Sequence, residues 1–286
     1  MAEPHSIVVV GSVNLDFVAT VEKLPVAGET VSGAELNRFP GGKGANQALA
    51  ARRLGANVSL VARVGDDTNA DEALALLSAG EVDLAACDRD TTIPTGVALI
   101  AVSADGENQI VVAPGANRYL QPEMLNLPDV DALICQLEVP VKTLLHAAAT
   151  FSGFFCVNLA PAMDVPDALI ERADLLVVNE TEAEFYGAAL TRCDGLLATT
   201  FGAAGAELSK GGETIAKAKS PVIDALDTTG AGDTFTAALT VALLDGMEAQ
   251  AALEFACAAG AAAATKQGAQ PSLPFRADVE ALIDKL

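Results

Sequence analysis

The sequence is poor in histidine and in aromatic residues. Its 286 residues include only two histidines, His5 and His146, which argues against a histidine-based metal centre or catalytic triad. Tryptophan is absent, and aromatic residues make up 4% of the chain against 51% for all hydrophobic residues. A chain of this length can bury a large core, and this composition predicts a core of alanine, valine and leucine rather than of aromatic rings.

Basic residues are also scarce. Lysine and arginine together number 17 against 38 aspartates and glutamates, so the net charge is −21. A field of that sign repels nucleic acid and anionic membrane surfaces, and we expect neither as a partner. An anionic ligand can still bind through backbone amides and metal ions.

The cysteines and the N-terminal residues predict a cytoplasmic protein. Five cysteines, an odd number, are scattered mostly in apolar runs, which indicates reduced thiols rather than disulfides or a zinc site. The N-terminal residues lack the pattern of a signal peptide, and a strand-like run, residues 7–10, follows directly. Residues 143–163 carry no charged side chain, but they contain glycine, asparagine and proline, so we expect a helix and a strand there rather than a membrane span.

Strand and helix patterns alternate through most of the chain. This alternation predicts an α/β fold: a doubly wound, mostly parallel sheet with helices on both faces, in a single domain over residues 1–286. Two stretches, about 17–39 and 95–113, instead show short strand patterns, including residues 30–36, and Asp105-Gly106 is a strong hairpin signal. We expect these stretches to form a small β-sheet lid that excludes water from a ligand crevice.

A glycine-rich motif, residues 227–233 (DTTGAGD), precedes an apolar helix predicted over residues 236–244. A helix N-terminus has unpaired backbone N–H groups and the positive end of the helix dipole, and Gly230, Ala231 and Gly232 would let an anion approach them. Asp233 beside such an anion hole is suited to accept a proton from an attacking hydroxyl, as phosphoryl transfer requires. The structural alternative is an aspartate that caps the helix.

A second glycine-rich motif, residues 41–47 (GGKGANQ), leads into a helix predicted over residues 45–54. Its spacing matches neither a Walker A loop nor a dinucleotide fingerprint. Lys43 and Asn46 offer donors to a ligand, although a simple turn before a helix also explains the glycines. Upstream, Asn14 and Asp16 follow the first predicted strand, where polar residues line the ligand crevice of an open α/β sheet; a plain turn is the alternative.

Asn179 and Glu182 lie three residues apart where a helix is predicted to follow the strand over residues 175–178. They therefore share one helix face. An amide and a carboxylate can hold a hydrated Mg²⁺, which keeps several of its waters in proteins. A helix-capping box is the structural alternative.

In their order along the chain, residues 41–47, 179–182 and 227–233, the three motifs resemble those of the PfkB sugar kinase family. Within that family the chain is most similar to the ribokinases, through residues 11–16 (GSVNLD), 136–138 (QLE) and 268–272 (GAQPS). The resemblance covers nearly the whole chain. It implies a doubly wound sheet with a β lid through which ribokinases commonly form homodimers. It also implies transfer of the γ-phosphoryl group of ATP to the primary (O5) hydroxyl of ribose.

The resemblance also implies roles for individual residues. Asp233 would be the general base, and the amides of Gly230, Ala231 and Gly232 the anion hole. The sugar would be held by Asn14, Asp16, Gly42, Lys43, Asn46 and Glu138. The nucleotide would be bordered by Asn179, Thr200, Gly202, Gly205, Gly232 and Cys257. Mg²⁺ would be held through water by Asn179 and Glu182, and K⁺ by Asp227, Thr229, Ala263, Lys266, Gly268 and Ser272.

The chain departs from the family pattern in three places, of which the smallest is Ala70 in place of a glycine that is usual after the Gly-Asp-Asp turn. Only residues 191–195 separate the helix expected to end near Leu190 from the strand at Leu196, where the family usually has another helix. Cys257 stands where ribokinases often have asparagine or histidine beside the adenine.

Two alternatives remain. One is another PfkB kinase that acts on deoxyribose, a nucleoside or a related sugar. The other is an inactive sugar- or nucleotide-binding protein. The shortened segment favours the inactive protein, whereas the presence of Asp233, Gly230 and Gly232 argues against it.

Overall fold

The computed structural model describes residues 3–284. Numbered along the chain, the strands in this range are β1 Ser6–Val10, β2 Asn14–Val21, β3 Glu35–Gly41, β4 Asn57–Gly65, β5 Cys87–Asp90, β6 Gly96–Ser103, β7 Asn108–Ala113, β8 Ala132–Gln136, β9 Phe154–Asn158, β10 Leu175–Asn179, β11 Leu196–Thr200, β12 Ala206–Lys210 and β13 Glu213–Ala218. The α-helices are α1 Lys43–Arg53, α2 Thr68–Ala79, α3 Val141–Thr150, α4 Asp167–Arg172, α5 Glu180–Tyr186, α6 Ala231–Leu244, α7 Ala249–Ala263, α8 Ala269–Ser272 and α9 Arg276–Ile283.

The main sheet has the strand order β13-β12-β11-β10-β9-β8-β1-β4-β5 among the described residues. From β5 to β11 every pairing is parallel, and only β12 and β13 run antiparallel to their neighbours. The predicted doubly wound, mostly parallel sheet is therefore confirmed. Its central strands are continuous apolar runs because both faces of the sheet are covered by helices.

Side chains of the central strand β1 alternate between two hydrophobic cores. Ile7 and Val9 pack in the core that includes residues of α1, α2, α6 and α7, whereas Val8 and Val10 pack in the core that includes residues of α3 and α4. This period of two follows from strand geometry. As expected from composition, the fully buried side chains are mainly alanine, valine and leucine.

The lid is a separate sheet with the order β3-β2-β6-β7, and the predicted hairpin at Asp105-Gly106 joins β6 to β7. The predicted strand over residues 30–36 is wrong, because residues 30–34 are irregular and β3 begins at Glu35. The first lid strand begins at Asn14 rather than at Phe17, since Asn14 already pairs with both β3 and β6. Asn14 and Asp16 thus lie on a lid strand and not in a turn.

The shortened segment leaves the sheet intact. Helix α5 ends at Tyr186, earlier than predicted, and residues 187–192 form a 3-10 helix instead. Strand β11 still pairs with β10 along its whole length. Three strands, β5, β12 and β13, were not predicted.

Two further expectations concern the uncharged stretch over residues 143–163 and the state of the cysteines. Residues 143–163 form most of α3 and then β9, and no helix within residues 3–284 is long and apolar enough to cross a membrane. All five cysteines are free thiols. The cytoplasmic location itself stays a prediction.

Candidate active site

The first glycine-rich motif places α1 directly against the end of β1. Gly42 has a positive φ of 90°, and a Cβ there would lie 2.7 Å from the amide nitrogen of Asn14. A Cβ on Gly44 would lie 2.5 Å from the carbonyl carbon of Gly11. These glycines are therefore required by close backbone packing, and this packing brings Lys43 and Asn46 to the carboxyl edge of the sheet.

Asp233 lies in the first turn of α6 but does not cap it. The N-cap is Gly230, with a positive φ of 80° and no capping side chain, so the capping alternative is wrong. The buried Asp233 carboxylate accepts hydrogen bonds from Asn46 Nδ2 at 2.8 Å and from Gln47 Nε2 at 2.9 Å. The two glycine-rich motifs, separated by most of the chain, thus meet at this carboxylate.

Lys43 is the positive charge at this meeting point. The negative charge of Asp233 raises the pKa of the Lys43 ammonium, against the effect of burial, and Glu138 and Glu182 act in the same direction. The carboxylate of Glu138 in turn accepts hydrogen bonds from the Lys43 backbone N–H at 3.1 Å and from Ser12 Oγ. Lys43 therefore stays protonated among three carboxylates.

Asp16 is the most perturbed carboxyl group of the site. It is buried on β2, and burial raises its pKa to about 7, with further contributions from the charges of Glu138, Asp233 and Asp227. At neutral pH this carboxyl group is therefore poised between its protonated and ionised forms.

Asn14 is held in place by Asn117. The buried Asn117 amide bonds to the backbone N–H and C=O of Val13 and donates to Asn14 Oδ1 at 2.8 Å. Sequence reasoning missed Asn117 because it follows a lid strand, in a segment without a recognisable motif.

A cavity of about 420 Å³ lies between the lid and the loop before α6. Its lid wall contains Asp16, Val18 and Ile100, and its opposite wall is formed by residues 225–229 and 267–269. Among the six residues predicted to hold the sugar, Asp16 lines this cavity directly. The other five and Asp233 do not line it. Asn46 bonds to Asp233, Lys43 and Glu138 interact with Asp233 and Asp16 through their charges, and Gly42 packs against Asn14.

A second cavity, of about 340 Å³, lies on the other side of the same loop. Its lining includes five of the predicted nucleotide residues, namely Thr200, Gly202, Gly205, Gly232 and Cys257. Burial raises the pKa of the Cys257 thiol to about 12, so this side chain is neutral. Both cavities are lined by Ala225 and Thr228, so they adjoin each other at the loop before α6, and Ala231 and Gly232 at the start of α6 line the second one. Asn179 does not line the second cavity.

Asn179 and Glu182 form a reciprocal pair at the start of α5. Asn179 Oδ1 accepts from the Glu182 N–H and Glu182 Oε2 accepts from the Asn179 N–H, both at 2.8 Å, which is the capping box considered as the structural alternative. Burial raises the pKa of Glu182. Within residues 3–284 no cluster of three or more acidic, histidine or cysteine side chains could hold a metal ion. The magnesium role of the pair stays a prediction.

The residues predicted to hold a monovalent cation meet where the loop before α6 contacts the segment after α7. Asp227 accepts hydrogen bonds from the N–H groups of Thr229 at 2.9 Å and Gly268 at 2.8 Å. Ser272 donates its N–H to the Gly268 carbonyl. Ala263 and Lys266 flank Ala264, whose carbonyl accepts the Asp227 N–H.

A lidded cavity, a second cavity and a glycine-rich helix N-terminus between them define a phosphotransferase of the doubly wound α/β class. Comparison with known families agrees: the model for pfkB family carbohydrate kinases matches residues 4–276. The chain therefore belongs to the pfkB family of carbohydrate kinases.

Individual relatives are similar over nearly their full length. A ribokinase of Bacillus subtilis is 38% identical, with 98% of this chain and 99% of that protein covered. Among solved structures, a ribokinase of Thermotoga maritima has a TM-score of 0.89 at 33% identity, covering 98% of this chain and 99% of that one. An Arabidopsis thaliana ribokinase in complex with ribose and ATP has a TM-score of 0.86 at 31% identity, covering 99% of both chains.

Proposed function

We propose that the protein transfers the γ-phosphoryl group of ATP to the primary (O5) hydroxyl of ribose. The observation that carries this proposal is the pair of cavities that meet at Ala225 and Thr228, in the loop that leads into the N-terminus of α6. Relatives named ribokinase match the chain end to end, and one solved relative is a complex with ribose and ATP. These likenesses support ribose as the acceptor and ATP as the donor.

In the proposed reaction, separate residues bind the sugar, remove the proton and balance the charge. The sugar lies in the lid cavity, where Asp16 accepts hydrogen bonds from its hydroxyl groups, and Asn14 lies two residues before Asp16 on β2. Asp233 takes the proton of O5 as this oxygen forms its bond to the γ-phosphorus, and the bond from phosphorus to the leaving ADP oxygen breaks. The amides of residues 230–232 and the Lys43 ammonium balance the negative charge of the transferred group.

Metal ions would act on the phosphates and on the loop. Mg²⁺ would supply charge neutralisation between the phosphate groups, held through water by Asn179 and Glu182. The absence of a dedicated acidic cluster in the described residues fits an ion bound mainly by phosphate and water. K⁺ at the junction of Asp227 and Gly268 would keep the loop before α6 in register, since Asp227 already holds both sides of that junction.

We propose further that two copies associate through the outer face of the lid. Leu36, Leu99 and Val111 are 62%, 52% and 64% exposed there. Exposed apolar patches on a sheet favour association with a second surface.

A nucleoside is the second candidate acceptor. Beside Asp16, Thr20 and Asn108, the lid wall of the first cavity carries the apolar side chains of Val18, Ile100 and Ile110. A nucleobase offers these side chains a larger apolar face than the C–H groups of a free sugar do. The inactive binding protein has less support, because the shortened segment leaves β11 paired and Thr200, Gly202 and Gly205 in the second cavity.

The test is a measurement of ADP release by the purified protein with MgATP, KCl and ribose, deoxyribose, fructose or adenosine. Release with ribose alone is expected, while release with adenosine alone would move the protein to the nucleoside kinases.

Asp233→Asn should lower kcat by about 10²–10⁴-fold with sugar binding retained, the usual effect of losing a general base. Repeating the assay in NaCl examines the cation site, and equal rates in both salts would contradict it.

A further inference from the structure

We propose that Gln47, held by Gln136, positions the catalytic carboxylate of Asp233. This inference rests on the proposed role of Asp233 as the base. It concerns a chain of buried amides between the sheet and α6 to which the sequence motifs assign no chemistry.

The chain of hydrogen bonds starts at the carboxyl end of β8. Gln136 Nε2 donates to Gln47 Oε1 at 2.6 Å. Gln47 Nε2 then donates to Asp233 Oδ1 at 2.9 Å and to Asn158 Oδ1, at the end of β9, at 3.1 Å. Asn158 is fixed in turn, because its Nδ2 donates to the Val177 carbonyl at 3.1 Å.

The charge of the Asp233 carboxylate fixes the orientation of the Gln47 and Gln136 amides. An ionised carboxylate only accepts hydrogen bonds, so Gln47 must turn its NH₂ group toward Asp233. Its Oε1 then faces Gln136 and requires a donor there, which sets the Gln136 amide as well. Gln136 Oε1 is left buried without a partner, so the series of hydrogen bonds ends at β8, and Gln136 and Gln47 donate in sequence toward Asp233.

These hydrogen-bonded amide side chains lie out of reach of solvent. Gln47 and Gln136 are 0% exposed, and a side chain on Gly11 would collide with Gln136 Oε1. Buried polar side chains are costly to keep without partners, and both polar atoms of the Gln47 side chain are hydrogen-bonded, which holds this amide in one orientation. With Asn46 on Oδ2 and Gln47 on Oδ1, both Asp233 oxygens are held by consecutive residues of α1. The base is therefore oriented before the sugar arrives.

The test compares Gln47→Leu, Gln47→Glu and Gln136→Leu with the wild type, using MgATP and the acceptor found by the panel above. Gln47→Leu removes a donor that orients the base, and we expect kcat to fall about 10- to 100-fold. The KM for the sugar should change by less than about threefold, because Gln47 does not line the sugar cavity. Gln136→Leu frees the Gln47 amide to turn and should give a smaller fall in kcat.

The pH profile separates positioning from a general structural effect. Gln47→Glu places a second carboxylate against Asp233, and two carboxylates that share a site hold a proton more tightly. We expect the acidic limb of kcat to move to higher pH by about one unit or more, with partial recovery of turnover in alkaline buffer. Gln47→Leu should show no such recovery.

Thr143→Val is the matched control. Thr143 is also fully buried, and its Oγ1 donates to the Leu120 carbonyl at 2.6 Å, but it lies on α3 and outside the proposed site, so losing this hydrogen bond should leave kcat within about twofold of the wild type. Thermal unfolding of each variant checks that it is folded. If Gln47→Leu does not fold, the kcat of Gln136→Leu and the pH profile of Gln47→Glu decide the matter.

The possible failures are distinguishable. A wild type that phosphorylates no acceptor overturns the proposed function and this inference with it. A working wild type, an impaired Asp233→Asn variant and an unimpaired Gln47→Leu variant overturn the positioning role alone. An unshifted pH profile in Gln47→Glu has the same consequence.

Discussion

At the scale of single residues, Asp16 belongs to the candidate active site and also makes the stability of the protein depend on pH. Its pKa is raised to about 7 by burial and by neighbouring carboxylates, from 3.8 for a free side chain. The folded state therefore binds the Asp16 proton more tightly than the unfolded state does. Its contribution to stability is present at low pH and is lost as the pH rises from about 4 to about 7.

Asp16→Asn removes this dependence. Between pH 5 and pH 8 the free energy of unfolding of the wild type should fall relative to that of the variant, by about 2–3 kcal/mol. Urea unfolding of both proteins at the two pH values gives this difference, in which the other titrating groups cancel. Parallel curves would show that Asp16 is already ionised at pH 5.

Residue types in motifs were predictable, but their partners were not. Lys43, Asn46 and Asp233 were assigned to one ligand site, and the hydrogen bond between Asn46 and Asp233 joins the two motifs. Gln47 belongs to the same motif, yet its partners come from β8 and β9, far away in sequence. A usable signal was present: Gln136 and Asn158 are uncharged amides directly at the ends of apolar strands.

At the scale of elements, the glycines of the two helix starts have different functions. A Cβ on Gly44 would collide with the backbone of Gly11 and Ser12, whereas a Cβ on Gly232 would meet no atom within 4 Å. Gly44 is therefore needed for the contact between α1 and β1. Gly232 leaves open space in front of the α6 amides.

Gly44→Ala should consequently impair stability, whereas Gly232→Ala should impair turnover. Gly44→Ala is expected to lower the free energy of unfolding by about 2–3 kcal/mol, the cost of forcing extra volume into a packed contact. Gly232→Ala should leave stability unchanged or slightly raised, as alanine favours helix, and should lower kcat about 10- to 100-fold by obstructing the anion hole. Urea unfolding and turnover of both variants provide the check. A destabilised Gly232→Ala variant with normal turnover would contradict this division.

Elements were predictable where one pattern dominated. The long apolar parallel strands and the lid hairpin follow from periodicity and from Asp105-Gly106. Strand β5, with the sequence CDRD, has no apolar pattern and forms only because it pairs with β4. Strands β12 and β13 carry alternating residues around Gly211-Gly212, a hairpin signal that the sequence prediction passed over.

At the scale of the whole molecule, the two faces of the lid differ in what they can contact. Ile100 and Ile110 pair across β6 and β7 and line the sugar cavity. Leu99 and Val111 pair beside them, so they point to the opposite, outer face. The inner face therefore lines the cavity, and the outer face exposes Leu99 and Val111, where we propose that a second copy of the chain binds.

Val111→Glu examines this proposed association. Sedimentation velocity at micromolar concentration should show a dimer for the wild type and a monomer for the variant, because dimerisation would bury an unpaired carboxylate. Ile215→Glu on β13, also an exposed apolar residue, is the control and should remain dimeric. A monomeric wild type would contradict association through the lid without affecting the assignment of the active site, since all the site contacts described above lie within one chain.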